Sequence, residues 1–414
     1  MAQDGGVENT GGLLTRLLLK NYKSIAAASV ELRPLTLLAG ANGAGKSNFL
    51  DALGFVADAL RRTLDHALRE RGGIAEVRRR SGGHPTHCGV RCEFRLPSGS
   101  GHYAFLIGSR SPGGFEVQAE ECTVDGEGGA HFLVRSGEVV EMRGGGEHAV
   151  PAFPPAAKDR LYLARAAGLR AFHPVYEALA NMRVYDLSVE RLRAFQTPEP
   201  GGVLLADGAN LTSVLRQAGE SDPAAVERIE RCLAAVHAGL EGVEVREMGP
   251  IETLEFRIQA PGGGDPWRFP ASNMPEGTLR ALAILLAVFG SGRETASVVA
   301  IEQLEAALHP AAAKTLLAAL REACPATQIL AATHSPELLP HIGQDDELVL
   351  AVSAEGGATG IAAVDAAGRD ALRRSLSEGV PMRLNPPPGD IRLFGECEQR
   401  LPLFDHGELS GTGG

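Results

Sequence analysis

Hydrophobic spacing divides the chain into segments that predict strands and segments that predict helices. Apolar runs within residues 13–39 predict two strands. After a glycine-rich loop, apolar residues at steps of one, three and four predict a helix over residues 48–69. Residues 88–150 alternate apolar and polar positions with many glycines, which is typical of an antiparallel sheet of hairpins.

The second half of the chain predicts a helical region and then a return to alternating elements. Residues 158–245 are rich in Ala, Leu, Arg and Glu and predict mostly helices, and residues 251–259 predict a short strand. Residues 277–336 alternate between helix and strand, with predicted elements at 278–289, 297–301, 306–323 and 327–332. This alternation is typical of an α/β fold.

These patterns predict four regions. An N-terminal lobe carries the glycine-rich loop and an antiparallel β-subdomain, and a helical insertion follows it. A second α/β lobe comes next, and a proline- and glycine-containing extension, predicted to be partly ordered, is last. The predicted bounds are, in that order, 13–157, 158–245, 246–365 and 366–414.

Composition and charge restrict the class of protein. The 414 residues are 44% hydrophobic and 22% charged, which is ordinary for a soluble globular protein. A formal net charge of −11 argues against a protein dominated by contacts with nucleic-acid phosphates. The longest strongly apolar run, residues 281–289, is far shorter than the roughly 20 residues that cross a bilayer. Scattered cysteines and a polar N-terminus without a signal peptide predict a cytoplasmic protein with no membrane partner.

The strongest chemical motif is a complete phosphate-binding loop, Gly40–Ser47, between a predicted strand and a predicted helix. Its glycines let successive backbone N–H groups point at a phosphate, and the following helix adds its positive end. Lys46 can reach the β- and γ-phosphates, and the Ser47 hydroxyl can ligate Mg²⁺. We predict that ATP and Mg²⁺ bind through Gly40, Asn42, Gly43, Ala44, Gly45, Lys46, Ser47 and Asn48.

Two further motifs follow apolar strands in the second lobe. Glu302 comes directly after Val298–Ile301, where a carboxylate can help to hold Mg²⁺, so Ser47 and Glu302 are the predicted metal residues. His334 follows another apolar strand and can contact a γ-phosphate. A lone histidine is more often structural, but the phosphate loop upstream favours a functional role here.

A fourth motif, Pro275–Arg280, opens an apolar helix. Backbone N–H groups and a hydroxyl at a helix start can grip a phosphate held by a second subunit. The alternative is an ordinary helix N-terminus with a proline at its start. The predicted phosphate contacts are Glu276, Gly277 and Thr278.

A zinc site is the less favoured interpretation of a fifth cluster, formed by His84, His87, Cys88 and Cys92. Cys88 and Cys92 fall on one face of an alternating strand, which favours the core, and the spacing matches no common zinc pattern. The sequence shows no signal for a Ser/His/Asp triad.

Taken in order, these motifs resemble the ABC-type ATPases of the SMC/RecF/OLD-like group, and above all the stand-alone "AAA family" predicted ATPases of bacteria. The resemblance spans roughly residues 13 to 365. The segments that carry it are Asn21–Ile25, Gly43–Ala52, Val184–Leu187, Leu205–Leu215, Glu305–Pro310, which resembles the D-loop, and His334, which resembles the switch histidine.

The resemblance implies a fold and a mechanism. The fold would be an α/β ABC-type ATPase head, a mixed sheet plus an antiparallel β-subdomain, with a helical insertion. Two heads would stack head-to-tail around two ATP molecules, each held by one subunit's phosphate loop and the other's signature motif. ATP would thus join a homodimer or higher homo-oligomer, and hydrolysis would release it.

The sequence departs from this family at hydrolysis positions. The Walker B motif usually ends in two carboxylates, but Gln303 stands at the second position, where the carboxylate would polarise the attacking water. An amide can orient a water but is not a useful proton acceptor. The next residue, usually proline, is Leu304.

The signature motif departs as well. Pro275 stands two residues before Gly277, where the family has a serine, and Ser272 lies three residues further upstream. We therefore predict that ATP is bound but hydrolysed slowly, with Glu302, Gln303 and His334 as the catalytic group. A deliberate Glu→Gln trap at Gln303 is the rival explanation, but it leaves Leu304 and Pro275 unexplained.

Three functions remain open from the sequence. The first is an ATP-gated sensor in phage defence that regulates an effector, a nuclease or toxin encoded nearby. The second is a DNA repair or chromosome-maintenance ATPase that clamps DNA. The third, a self-contained nuclease of the OLD type, is weakest because the segment after residue 340 is short for an added nuclease domain. The net charge of −11 favours the first over the second.

Overall fold

The computed structural model describes most of the chain, and every structural statement below refers to that part. The described residues are 13–80, 86–110, 113–126, 129–144, 155–200, 202–290, 296–343 and 347–380, together with 382, 384, 403 and 404. The strands are β1 Leu13–Tyr22, β2 Ile25–Glu31, β3 Leu35–Ala39, β4 His87–Leu96, β5 Gly99–Arg110, β6 Gly114–Val124, β7 Ala130–Arg135, β8 Glu138–Arg143, β9 Arg183–Tyr185, β10 Leu240–Met248, β11 Ile251–Ile258, β12 Trp267–Pro270, β13 Val298–Ile301, β14 Gln328–Thr333, β15 Glu347–Glu355 and β16 Ala358–Ala363.

Helices connect these strands and cover the sheets. They are α1 Lys46–Arg61, α2 Leu64–Arg69, α3 Ile74–Val77, α4 Leu163–Ala166, α5 His173–Ala180, α6 Val189–Arg193, α7 Leu211–Ser221, α8 Pro223–Val236, α9 Glu276–Phe289, α10 Pro310–Ala323 and α11 Ala366–Glu378. Short 3₁₀ turns lie at Ala271–Asn273 and Leu339–His341. No helix among the described residues is both long and apolar enough to cross a membrane.

Three sheets form the framework of the described residues. An antiparallel sheet has the order β2-β1-β4-β5-β6-β7-β8, and a small one has the order β10-β11-β12. The central sheet has the order β16-β15-β3-β14-β13-β9 and is parallel except for the β15–β16 hairpin. This mixture of sheets with covering helices confirms the predicted α/β fold class with an antiparallel β-subdomain.

The central sheet is buried on both faces, which explains its continuous apolar strands. Val298 and Ala300 of β13 enter a core shared with α1 and the antiparallel sheet. Val299 and Ile301, the alternate residues, enter a second core shared with α7, α8, α9 and α10. Helix α9 is buried from Gly277 to Val288, as expected of a helix that is apolar around nearly its whole circumference.

The observed bounds differ from the predicted ones where capping and turn residues interrupt an apolar pattern. The predicted helix 48–69 is divided because the Thr63 side chain accepts the His66 N–H and starts α2. Asp222 likewise accepts the Ala225 N–H and separates α7 from α8. Residues 13–39 form three strands rather than two, since Asn21 and Lys23 adopt left-handed φ values of 53° and 46° and turn the chain.

Two further differences affect the regions predicted from the sequence. In the region 158–245, predicted to be mostly helical, the last helix ends at Val236, because β10 starts at Leu240 and pairs with β11. Strand β9 lies within the predicted helical insertion, yet it forms one edge of the central sheet beside β13. Helix α11 lies in the predicted C-terminal extension, and most residues beyond 384 lie outside the described part of the chain.

A buried carboxyl group connects the antiparallel sheet to the segment that precedes α4. Glu120 of β6 is fully buried and accepts hydrogen bonds from the Tyr103 hydroxyl at 2.9 Å, from the Leu163 N–H at 2.7 Å and from the Tyr162 N–H. Burial raises the pKa of Glu120 to about 7, although these three donors act in the opposite direction.

This raised pKa predicts a pH-dependent stability. Between about 4.5, the usual pKa of the unfolded group, and about 7, the folded protein binds more protons at Glu120 than the unfolded chain does. The stabilising contribution of Glu120 should therefore be complete below pH 4.5 and decline as the pH rises to about 7.

Glu120→Gln provides the comparison. Its amide N–H₂ must face at least one of the three donors, so we expect a loss of about 1–3 kcal/mol in the free energy of unfolding. Urea denaturation of both proteins across this pH range should show the stability advantage of the wild type shrinking as the pH rises. An advantage independent of pH would contradict the assignment.

Candidate functional site

The loop 40–47 joins β3 to α1 and is braced from behind by β16. Gly45 has a φ of 106°, and a Cβ there would lie 2.1 Å from Thr359 Oγ1. Thr359 donates to the Ala44 carbonyl at 3.0 Å, which fixes its proton. The Ser24 hydroxyl, 2.7 Å away, therefore donates to Thr359. Asn48 donates to Ser24 at 2.6 Å, so its side chain supports the loop.

The front of the loop is open. Gly43 has a φ of 76°, and a Cβ at this position would meet no atom within 4 Å. Lys46 lies over the same side, where its ammonium donates to the carbonyls of Gly40 at 2.7 Å and Ala41 at 2.9 Å. Burial lowers the pKa of Lys46, while the charges of Glu305 and Glu302 oppose this shift. The cation is thus held where a bound anion would neutralise it.

Ser47 and Glu302 bring two hard oxygen atoms together. The Ser47 hydroxyl donates to Glu302 Oε2 at 3.0 Å. Glu302 is buried, and its burial raises the pKa of the carboxyl, whereas the Ser47 hydrogen bond lowers it. Hydroxyl and carboxylate oxygens are the ligands that Mg²⁺ prefers, with the rest of its shell from water and phosphate. This donor set therefore fits the metal that the sequence predicts.

One cleft of about 280 Å³ brings together the predicted metal and catalytic residues and the predicted phosphate-loop residues other than Gly40 and Ala44. Gln303 lies at its wall, exposed and in a left-handed conformation with φ 51°. Leu304, next in the chain, is buried, and its N–H donates to the Ala332 carbonyl at 3.0 Å. The lining residues are Asn42, Gly43, Gly45, Lys46, Ser47, Asn48, Glu302, Gln303, Ala332, Thr333 and His334.

His334 is held by the carboxylate of Glu305. The sequence resemblance placed Glu305 in a D-loop but gave it no role. Glu305 Oε1 accepts from the His334 backbone N–H at 2.7 Å and lies 2.9 Å from its Nδ1. An Nδ1–H bound to a carboxylate leaves Nε2 as the ring nitrogen free to meet a ligand. A carboxylate three residues after Glu302 was the available signal.

The predicted signature residues lie apart from this cleft. None of Glu276, Gly277 and Thr278 is among the residues that line it in the described structure. Gly277 is close to the D-loop, since a Cβ there would lie 2.3 Å from the Ala307 carbonyl oxygen. The buried Thr278 hydroxyl forms a 3.1 Å hydrogen bond with His237 Nδ1 of the same chain. Ser272 is exposed and donates to Asn273 at 3.0 Å.

A buried arginine at the start of α9 connects the signature helix to the cleft. Arg280 donates to the Leu187 carbonyl at 2.8 Å and to the carbonyls of Glu302 and Gln303, both at 3.2 Å. Burial lowers its pKa, with acidic neighbours acting in the opposite direction. We call this contact set the Arg280 bracket. Sequence reasoning missed it, although an arginine inside an otherwise apolar helix was a signal.

Cys88 and Cys92 are part of the core. Burial raises the pKa of both Cys88 and Cys92 to about 12, which disfavours the thiolate form that binds zinc. The described residues contain no group of three or more His, Cys, Asp or Glu side chains placed to hold a metal ion. His84, which belongs to the same predicted cluster, lies outside the described residues.

Comparison with known proteins found a family model that matches two parts of the chain. The family model described as "AAA domain, putative AbiEii toxin, Type IV TA system" matches residues 35–107 and 213–339. No curated protein matches the chain.

Solved structures match over most of the chain. One is an Smc head bound to the C-winged helix domain of ScpA, with 14% sequence identity and a TM-score of 0.54, covering 86% of this chain and 99% of that chain. Another is an Smc head with an extended coiled coil bound to the C-terminal domain of ScpA derived from Pyrococcus furiosus, with 13% identity and a TM-score of 0.54, covering 89% and 99%. At such identities the likeness shows the fold. The family match, over just under half of the chain, and this fold support the resemblance to ABC-type ATPases of the SMC/RecF-like group.

Proposed function

We propose that the chain binds ATP with Mg²⁺, that ATP joins two copies head-to-tail, and that the ATP-bound state regulates an effector partner in anti-phage defence. The observation that carries the proposal is the cleft in which Lys46, Ser47, Glu302 and His334 converge. Its residue types match those that hold a nucleotide triphosphate and its metal.

Each residue has a definite part in nucleotide binding. The loop N–H groups and Lys46 bind the β- and γ-phosphates, and Ser47 and Glu302 supply oxygen ligands for the metal. Mg²⁺, when bound, neutralises phosphate charge. His334, oriented by Glu305, meets the γ-phosphate through Nε2.

In the proposed dimer, a second copy supplies the signature residues, which in a single copy lie away from the cleft. The N-terminus of α9 carries the predicted signature residues but does not line the cleft of its own chain. A helix N-terminus attracts anions, so Glu276, Gly277 and Thr278 can complete the phosphate site of a partner head. The matched Smc heads are solved with ScpA bound, which supports a head that also recruits another protein.

Hydrolysis is slow in this proposal because Gln303 accepts no proton. Losing a general base typically costs about 10²–10⁴-fold in rate. Pro275, with neither a hydroxyl nor an N–H, weakens the signature motif as well. The ATP-bound dimer is then long-lived, which suits a sensor. The description of the matching family, which names a putative AbiEii toxin and a toxin–antitoxin system, supports a toxin-linked partner.

Lys46→Ala should abolish ATP binding, because it removes the ammonium group among the residues that line the cleft. Lys314→Ala is the matched control, since Lys314 is exposed on α10. Isothermal titration with ATP-Mg²⁺ measures both affinities. A Lys46→Ala protein with wild-type affinity would overturn the site.

The assembly is tested by mass measurement. Wild-type protein should double its mass on addition of ATP-Mg²⁺, and Lys46→Ala protein should stay at the mass of the nucleotide-free form. Repeating the measurement with the product of the neighbouring gene tests the effector, which should join in an ATP-dependent manner. An assembly state that ignores ATP would refute ATP as the link between heads.

Turnover should be below about 1 s⁻¹, the low end of typical enzymes. Gln303→Glu restores a proton acceptor and should raise turnover by about 10²-fold, the lower end of what a general base contributes. Phosphate release at saturating ATP-Mg²⁺ measures both rates. A fast wild type would remove the sensor mechanism based on slow hydrolysis.

DNA clamping is the second candidate, and the fold likeness to Smc heads favours it. DNA affinity measured with ATP at several salt concentrations separates the two functions, because contacts with phosphates weaken steeply as salt rises. Affinity that falls with salt supports the clamp, and no salt-dependent binding removes it.

A further inference from the structure

A third carboxylate lies at the edge of the sheet that carries the cleft. Strand β9 runs parallel to β13 with Tyr185 opposite Ile301. The next residue of each strand is an acid, Asp186 and Glu302 respectively. Because the carboxyl ends of neighbouring parallel strands meet at one edge, this register places Asp186 beside Glu302.

The backbone around Asp186 is fixed. Its N–H donates to the Ala206 carbonyl at 3.0 Å, and the Glu302 N–H donates to the Tyr185 carbonyl at 2.9 Å. In the Arg280 bracket, one guanidinium connects Leu187, which follows Asp186, to Glu302 and Gln303. The two strand ends are therefore held together as one unit.

Asp186 shares a groove with the predicted metal and catalytic residues. A groove of about 580 Å³ is lined by Asp186 together with Ser47, Glu302 and Gln303, and the last three also line the phosphate cleft. Glu302 and Gln303 thus lie where the phosphate cleft and the groove of Asp186 join. After burial, the charge of Asp186 is one of the influences that raise the pKa of Glu302.

The carboxylate of Asp186 is the available one in this groove. Asp51 is engaged by Lys23, Tyr22 and Arg71, and Asp58 is engaged by Arg61 and Arg71. The exposed Asp186 side chain has no hydrogen bond or ion pair with any described residue.

We propose that Asp186 is the proton acceptor for the residual, slow hydrolysis of ATP, since Gln303 cannot accept a proton. The water oxygen bonds to the γ-phosphorus, the bond from that phosphorus to the β–γ bridging oxygen breaks, and ADP leaves. The proton of the water passes to the Asp186 carboxylate, while the Gln303 amide orients the water. This inference rests on the proposed function, since it requires ATP in the cleft.

The test compares Asp186→Asn with Asp58→Asn, which removes a carboxylate from the same groove that is already engaged by arginines. Protein loaded with ATP-Mg²⁺ is sampled over time for the fraction of bound nucleotide recovered as ADP. Asp186→Asn should slow ADP formation by about 10²-fold with unchanged affinity for a non-hydrolysable ATP analogue, and Asp58→Asn should not slow it. An unchanged melting temperature shows that each variant is folded.

The double variant Asp186→Asn, Gln303→Glu should regain ADP formation, because the acceptor returns at the neighbouring position. ADP formation by Asp186→Asn at the wild-type rate overturns the inference, and so does a wild type that binds ATP but forms no ADP. Absence of analogue binding by the wild type would instead refute the proposed function itself.

Discussion

The parallel register of the central sheet is the constraint on which the site depends. Ala39 pairs with Thr333, Ala331 with Ile301, and Ile301 with Tyr185. The phosphate loop, His334, Glu302 and Asp186 follow these strand ends, so pairing alone brings them to one edge. A slip of one residue would turn every side chain of a strand to the opposite face. Burial of both faces resists such a slip, because each face packs into its own core.

Hydrogen bonds to carbonyl and carboxylate oxygens then orient the side chains and backbone segments at this edge of the sheet. Glu305 holds the ring of His334, and the Arg280 bracket holds the backbone beyond β9 and β13. The bracket starts from α9, whose N-terminus carries the predicted signature residues. The position of this helix and the geometry of this edge of the sheet are thus joined through one side chain.

The parts predicted from sequence are those encoded over short distances. The phosphate loop needs only a strand, eight residues and a helix, and Glu302 and His334 were found because each directly follows an apolar run. Glu305, Arg280 and Thr359 were assigned no role, because their partners lie 29, 93 and 315 residues away. Asp186 was named only as part of the segment Val184–Leu187 that carries the resemblance. Strand β9 has three residues, which is too short for its apolar pattern to predict the pairing with β13.

Fold class was predictable for the same reason, and element bounds were not. Runs of alternating or continuous apolar residues identified the two kinds of sheet. The interruptions came from single side chains, such as Thr63 and Asp222, whose hydrogen bonds to nearby N–H groups compete with an unbroken helical pattern.

The contact of Thr359 with the phosphate loop bears on the stage of folding at which this loop takes its final shape. Thr359 comes 315 residues after Ala44, whose carbonyl it holds. Loops of such length close late, since their entropy cost precedes any contact. An emerging chain therefore displays the glycine-rich segment long before its shape is secured, and the mature pocket appears only once β16 has joined the sheet. In the proposed function, nucleotide occupancy would then report that β16 has joined the sheet.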